Sequence, residues 1–115
     1  WYQSLKTFHG KLFGRAGRTP TWQNLKEANY RYKGYVYDVR TKIFGIPETN
    51  EPFDECLLKA YYNSHNKMVL DYFKHKDNLL VLNLSDKNSY LKLSEYLGKE
   101  PLYEHFPWKN RTSDI

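Results

Sequence analysis

Apolar residues recur at helical spacing in three stretches of this chain, and most of its predicted architecture follows from them. Trp1, Leu5, Phe8 and Leu12 share one stripe, which predicts the end of a helix closing near Phe13, its last turn loosened by Gly10 and Gly14. Asp54 to His75 carries the strongest signal. Leu58, Tyr61, Tyr62, His65, Met68, Val69, Tyr72 and Phe73 return at three- and four-residue steps, with Lys and Asn between them. Asp54 suits the N-cap of this long amphipathic helix, and Lys74, His75 and Lys76 put positive charge at the C-terminal end of its dipole. A third stripe, Tyr90, Leu93, Tyr96 and Leu97, predicts a helix that Ser85 caps or nearly caps, with Gly98 where a left-handed C-terminal cap belongs.

Between the second and third stripes the period changes. Asn78-Leu79-Leu80-Val81-Leu82-Asn83-Leu84 shows no polar face before Asn83, and its length suits a strand buried on both sides, near 79–84. Long helix, buried strand and capped helix in that order predict an α/β fold, mostly helical in this chain. One strand makes no sheet. Unless Tyr35 to Val39 contributes another, the strand needs partners from outside this chain.

The remaining segments read as connections and one ambiguous region. Gly14-Arg15-Ala16-Gly17-Arg18-Thr19-Pro20 is a basic, glycine-rich connector without the spacing or the Lys-Ser/Thr ending of a Walker loop. Thr19 or Thr21 can cap a helical stretch from about Trp22 to Phe44, with Gly34 as a point of interruption. Tyr30, Tyr32, Tyr35 and Tyr37 fit neither period cleanly, so a β reading of Tyr35 to Val39 stays open. Gly45 to Pro52 is a loop, and in the tail Phe106 and Trp108 are expected to pack back.

Composition narrows the functional classes. At 115 residues the chain is one domain at most, and 40% hydrophobic with 27% charged residues is ordinary for a folded protein. Aromatic content is 17%, with 11 tyrosines, which points to half-buried rings with hydroxyls in need of partners. A net charge of +5 favours an anionic partner such as phosphate, sulfate or nucleic acid. A single cysteine, Cys56, excludes an internal disulfide and a multi-cysteine metal site. No apolar run approaches the ~20 residues that span a bilayer.

No catalytic constellation is complete. His9, His65, His75 and His105 have no metal-ligand spacing, and His65 on the apolar stripe reads as a satisfied core histidine. Cys56 reads as a buried, inert thiol, and the carboxylates as solvation. Anion binding is what remains. Ser4 stands at the start of a helix fragment, where a hydroxyl and backbone N–H groups can meet a phosphate. In the tail, Lys109 and Arg111 flank Asn110 beside the indole of Trp108, which suits a phosphate and a stacked base. Asn83-Leu84-Ser85 and Asn110-Arg111-Thr112 are formal glycosylation sequons.

Several of these features are collinear with one family. Trp1-Tyr2-Gln3-Ser4-Leu5, the Tyr-x-x-His-x-x-x-Val-x-x-Tyr-Phe pattern of the long helix, Leu79-Leu80-Val81-Leu82-Asn83-Leu84, Tyr96-Leu97-Gly98-Lys99 and Phe106-Pro107-x-x-Asn110 together resemble the C-terminal part of sulfotransferases that use 3′-phosphoadenylyl sulfate (PAPS). The resemblance implies a P-loop-like α/β fold of which residues 1–115 form the C-terminal segment of a single domain, the cofactor-loop half lying elsewhere. It implies that Ser4 binds the cofactor 3′-phosphate with an arginine eight positions earlier, before Trp1. It also implies that Trp108, Lys109, Asn110 and Arg111 close near the cofactor. The parent would transfer a sulfuryl group from PAPS to a hydroxyl or amine acceptor, held by the loops around Arg15 to Arg18 and Gly45 to Pro52. This chain alone, without the phosphosulfate loop and the catalytic base, is expected to be inactive and to need its N-terminal half.

The alternative from a different class is a small, basic, aromatic-rich module binding nucleic acid or protein without catalysis. No RNA or DNA motif supports it, and most aromatics fall on stripes better used as core. Compartment stays open between cytoplasm and Golgi lumen.

Overall fold

The computed structural model describes residues 1–107. In them the chain forms five α-helices: α1 (Tyr2–Phe13), α2 (Trp22–Glu27), α3 (Tyr35–Asp38), α4 (Glu55–Phe73) and α5 (Ser89–Tyr96). It divides into two compact units, Trp1–Met68 and a second beginning at Val69, which are taken separately. Residues 55–68 of α4 belong to the first and 69–73 to the second.

In the first unit, α1 is held at its start by aromatic contacts. The Trp1 ring stacks on Tyr62 at 5.1 Å and 22° and meets Phe44 edge-on at 6.2 Å, while the Tyr2 hydroxyl donates to the Phe53 carbonyl at 3.0 Å. Its end is set by close backbone approach. A Cβ at Gly14 would fall 1.7 Å from the Arg18 carbonyl oxygen, so only glycine lets the chain fold back into the 3₁₀ turn Arg15–Gly17. Thr21 then caps α2 in a reciprocal box: its hydroxyl accepts from the Asn24 N–H, and the Asn24 side chain accepts from the Thr21 N–H.

The helical stretch expected from Trp22 to Phe44 is broken where glycine allows it. Gly34 sits in the left-handed region, φ 84°, and starts α3. The Tyr35 to Val39 segment is helical, which closes the β reading. It runs on as a π-helical turn, Val39–Ile43, in which the Phe44 N–H reaches back to the Val39 carbonyl at 3.0 Å.

Ile46, Phe53 and Leu58 form the buried cluster, with Tyr2, Leu5, Trp22, Phe44 and Leu57 packed against it. Leu25 and Val36 are buried as well. The loop from Gly45 to Pro52 contributes to the core: Ile46 and Pro52 are fully buried, and the Asn50 carbonyl accepts from the Trp22 indole N–H at 2.7 Å. Asp54 caps α4 as anticipated, accepting from the Leu57 N–H and the Asn50 amide, both at 2.9 Å. Those bonds, the backbone one first, hold its carboxyl below the usual range.

The apolar stripe of α4 meets the core only at its N-terminal end. Leu58 is fully buried, but Tyr62 and Met68 are exposed, and so is His65, expected as a core histidine. Cys56, expected to be buried, is exposed too, because it faces away from Leu58 in the first turn.

In the second unit the expected buried strand is absent. Residues 78–83 carry no regular structure, and Val81 and Leu84 are 69% and 70% exposed. A strand needs a neighbour for its ladder of N–H and C=O groups. Among the described residues no strand forms, and an isolated bridge between Asn29 and Lys33 is the sole β pairing. The α/β expectation is therefore replaced, for these residues, by a helical arrangement. The Asn83 side chain instead accepts from the Ser85 N–H at 3.1 Å, and the Asn83 carbonyl accepts from the Asp86 N–H and the Ser89 hydroxyl. This turn moves the start of α5 to Ser89, with Asn88 rather than Ser85 as its N-cap. Gly98, φ 60°, ends the helix as expected, and the Lys99 N–H bonds to the Ser94 carbonyl at 2.9 Å. Phe106 packs back edge-on to Tyr90 at 5.2 Å; Trp108 lies outside the described residues.

Candidate functional site

Ser4 is the third residue of α1 and is exposed. The first bond of the helix runs from the Leu5 N–H to the Trp1 carbonyl at 2.9 Å, which leaves the Tyr2 and Gln3 amides without an acceptor inside the helix. No acidic residue occupies that first turn. Two cations lie beside it. Lys6 and Lys59 sit 5.9 and 5.7 Å from the centre of the Tyr2 ring. Lys59 is paired with Glu55, whose hydrogen bond, foremost, raises the pKa of the ammonium. A helix start with a hydroxyl, backbone amides and neighbouring lysines can receive an oxyanion.

The other expected site residues, Trp108, Lys109, Asn110 and Arg111, lie outside the described residues. The loop assigned to the acceptor at Arg15 to Arg18 is an exposed turn with Ala16 and Gly17 at positive φ. Its counterpart from Gly45 to Pro52 is anchored in the core by Ile46 and Pro52, while on its exposed side Glu48 pairs with Lys26 at 2.6 Å and accepts from the Tyr37 hydroxyl.

A second polar constellation was not anticipated. Arg40, on the π-helical turn, is fully buried. Its Nη2 donates to His9 Nδ1 at 3.0 Å, which places the imidazole proton on Nε2. Its guanidinium carbon lies 4.5 Å from the centre of the Phe53 ring and 5.2 Å from that of Phe44. Nε and Nη1 are buried and have no partner among the described residues. Burial, then the Arg40 charge, lowers the His9 pKa to about 4, and burial lowers that of Arg40 to about 10. At neutral pH the imidazole is neutral and the guanidinium charged.

His9 is therefore a poor proton acceptor and serves as an acceptor of Arg40's hydrogen bond. Both groups border a cleft of about 220 Å³ lined mainly by Leu5, Phe8, Phe13, Tyr35 and Phe44. The sequence carries little signal for this pair: Arg40 stands one helical turn after Val36, which the structure buries, in a segment whose period is mixed. Among the described residues no cluster of His, Cys, Asp or Glu could hold a metal ion, and no helix is long and apolar enough to cross a membrane.

The family model for the sulfotransferase domain matches residues 1–115. The chain belongs to the sulfotransferase domain family, a family of transferases. No curated protein and no solved structure matches it.

Proposed function

We propose that this chain forms the C-terminal, 3′-phosphate-binding part of a PAPS-dependent sulfotransferase. The observation that carries the reading is Ser4 in the exposed first turn of α1, with Lys6 and Lys59 beside it, in a chain of the sulfotransferase family. In this reading the Ser4 hydroxyl and the first-turn amides donate to the 3′-phosphate oxygens, and the lysines offset their charge. An arginine eight positions before Ser4 completes that site. Trp108 stacks on the adenine, while Lys109, Asn110 and Arg111 meet the phosphates.

The sulfuryl group passes in line to a hydroxyl or amine of the acceptor. A base takes the acceptor proton, and cations stabilise the charge left on the departing phosphate. In this reading those groups are supplied by the N-terminal part of the parent domain.

Calorimetry with 3′-phosphoadenosine 5′-phosphate on the full parent protein tests the assignment. Replacing Ser4 by alanine removes one hydrogen bond to a charged group, worth about 1.5–3 kcal/mol, and should weaken binding about tenfold or more. Unchanged affinity in Ser4→Ala would remove the role given to Ser4.

A further inference from the structure

We propose that the cleft beside Arg40 binds a small apolar monocarboxylate, with Arg40 as the receptor for its acid group and the surrounding rings as the receptor for its body. Arg40 carries the argument. A guanidinium offers five N–H donors and no acceptor. Here one donor goes to His9, and the Nε and Nη1 donors find nothing among the described residues although they are sealed from water. Leaving such donors unmet costs more than a satisfied network or an apolar side chain would. Phe44 and Phe53 offset part of that cost through their ring faces, but rings supply no acceptor oxygen.

The choice of ligand follows from charge and space. Among the described residues Arg40 is the only cation lining the cleft; the other lining residues are apolar or aromatic, apart from His9, which is neutral at pH 7. A dianion such as phosphate or sulfate would bring one uncompensated charge into that setting, whereas a monoanion is balanced. A carboxylate also matches the planar fork of a guanidinium. The volume, about 220 Å³, falls below the ~300–1,000 Å³ of sites for drug-sized ligands, so a single ring is the right scale of body.

Entry requires a lining ring to turn aside. Phe44 lies against the guanidinium, borders the cleft and is only half-buried, so it is the ring placed to move. The π-helical turn that carries Arg40 and ends at Phe44 is a kind of irregularity that recurs at functional sites.

Sodium benzoate is the probe, with benzyl alcohol as its uncharged counterpart and sodium sulfate as an anion without a body. At pH 7, benzoate should shift the His9 ring resonances saturably with a dissociation constant of roughly millimolar, the scale of a fragment-sized ligand. Benzyl alcohol should bind at least about tenfold more weakly, and sulfate should give no saturable shift. Arg40→Met keeps the bulk and removes the donors; it should weaken benzoate about tenfold or more and leave benzyl alcohol nearly unchanged.

Leu12→Trp fills the cleft from a position 44% exposed, where folding is not at stake, and should abolish both. Equal binding of benzoate and benzyl alcohol would mean that the guanidinium recognises no acid, and the proposal falls. It falls equally if benzoate shows no saturation at tens of millimolar or keeps its affinity in Leu12→Trp. These measurements need no PAPS, so their failure and that of the Ser4 assignment are separate results.

Discussion

The two units spend similar apolar residues in opposite ways. In Trp1–Met68, Leu25, Val36, Ile46, Phe53 and Leu58 are almost wholly removed from water, and Tyr2, Leu5, Trp22, Phe44 and Leu57 close over the Ile46, Phe53 and Leu58 cluster. In residues 69–107 the two buried side chains are polar, Ser89 and Ser94, while Val81, Leu84, Leu97 and Leu102 stand 57–82% exposed. Hydrophobicity is thus not what separates them. The first unit brings chain segments distant in sequence onto one cluster; in the second, among the described residues, the apolar run at 78–83 finds no strand to pair with. An apolar side chain contributes to stability only where other atoms replace the water around it.

The sharpest way to break this contrast is to truncate one leucine in each unit. Leu58 has no exposed surface and touches the central cluster, so Leu58→Ala should cost about 2–5 kcal/mol in urea unfolding. Leu84 is 70% exposed, and Leu84→Ala should stay within about 0.5 kcal/mol of the parent. Equal effects at the two positions would show that the 69–107 unit has a core of its own.

A smaller effect belongs to acid. The folded pKa of His9, about 4, lies below its ordinary 6.5, so the unfolded chain binds a proton between those values that the folded chain refuses. The His9 contribution is therefore full above about pH 6.5 and is lost as pH falls toward 4. The loss is at most on the order of 3 kcal/mol. Asp38, Glu48 and Asp54, whose pKa values are lowered by hydrogen bonds, act in a different window: their contributions are lost from about pH 4.5 downward. Between pH 6.5 and 5, amide exchange in α1 should accelerate as pH falls after correction for intrinsic rates, and His9→Gln should flatten that slope. An unchanged slope in the variant would refute the assignment to His9.

These contrasts also mark what the sequence could disclose. α1, α4 and α5 were legible because their period and their caps, Asp54 and Gly98, are local. The strand at 79–84 was misread because a short apolar run looks the same whether partners exist or not. His65 was misread for the same reason: the α4 stripe is continuous, and only the tertiary arrangement decides that it is buried at Leu58 and exposed at His65. At the candidate site, the place of Ser4 in the first turn of a helix was legible from the local pattern. The Arg40–His9 pair was not, since its partners are separated by 31 positions and no spacing rule joins them.

The last contrast is between the N-termini of α2 and α5, where burial plays little part. Thr21 makes a reciprocal box with Asn24, so Thr21→Ala deletes both an acceptor for the Asn24 N–H and a hydroxyl that donates to the Asn24 side-chain Oδ1 at 2.9 Å. Asn88 stands at the same position of α5 and makes no side-chain cap. Caps of the first kind are worth about 1 kcal/mol. Thr21→Ala should therefore lower stability by about that amount in urea unfolding, whereas Asn88→Ala should change it by no more than a few tenths of a kcal/mol. Asn88 has no side-chain cap bond to lose, and α5 instead takes its N-terminal order from the Ser89 hydroxyl on the Asn83 carbonyl. If Asn88→Ala proved as costly as Thr21→Ala, the Asn83–Ser89 turn would not be what starts α5, and the second unit would be organised more like the first than its exposed leucines indicate.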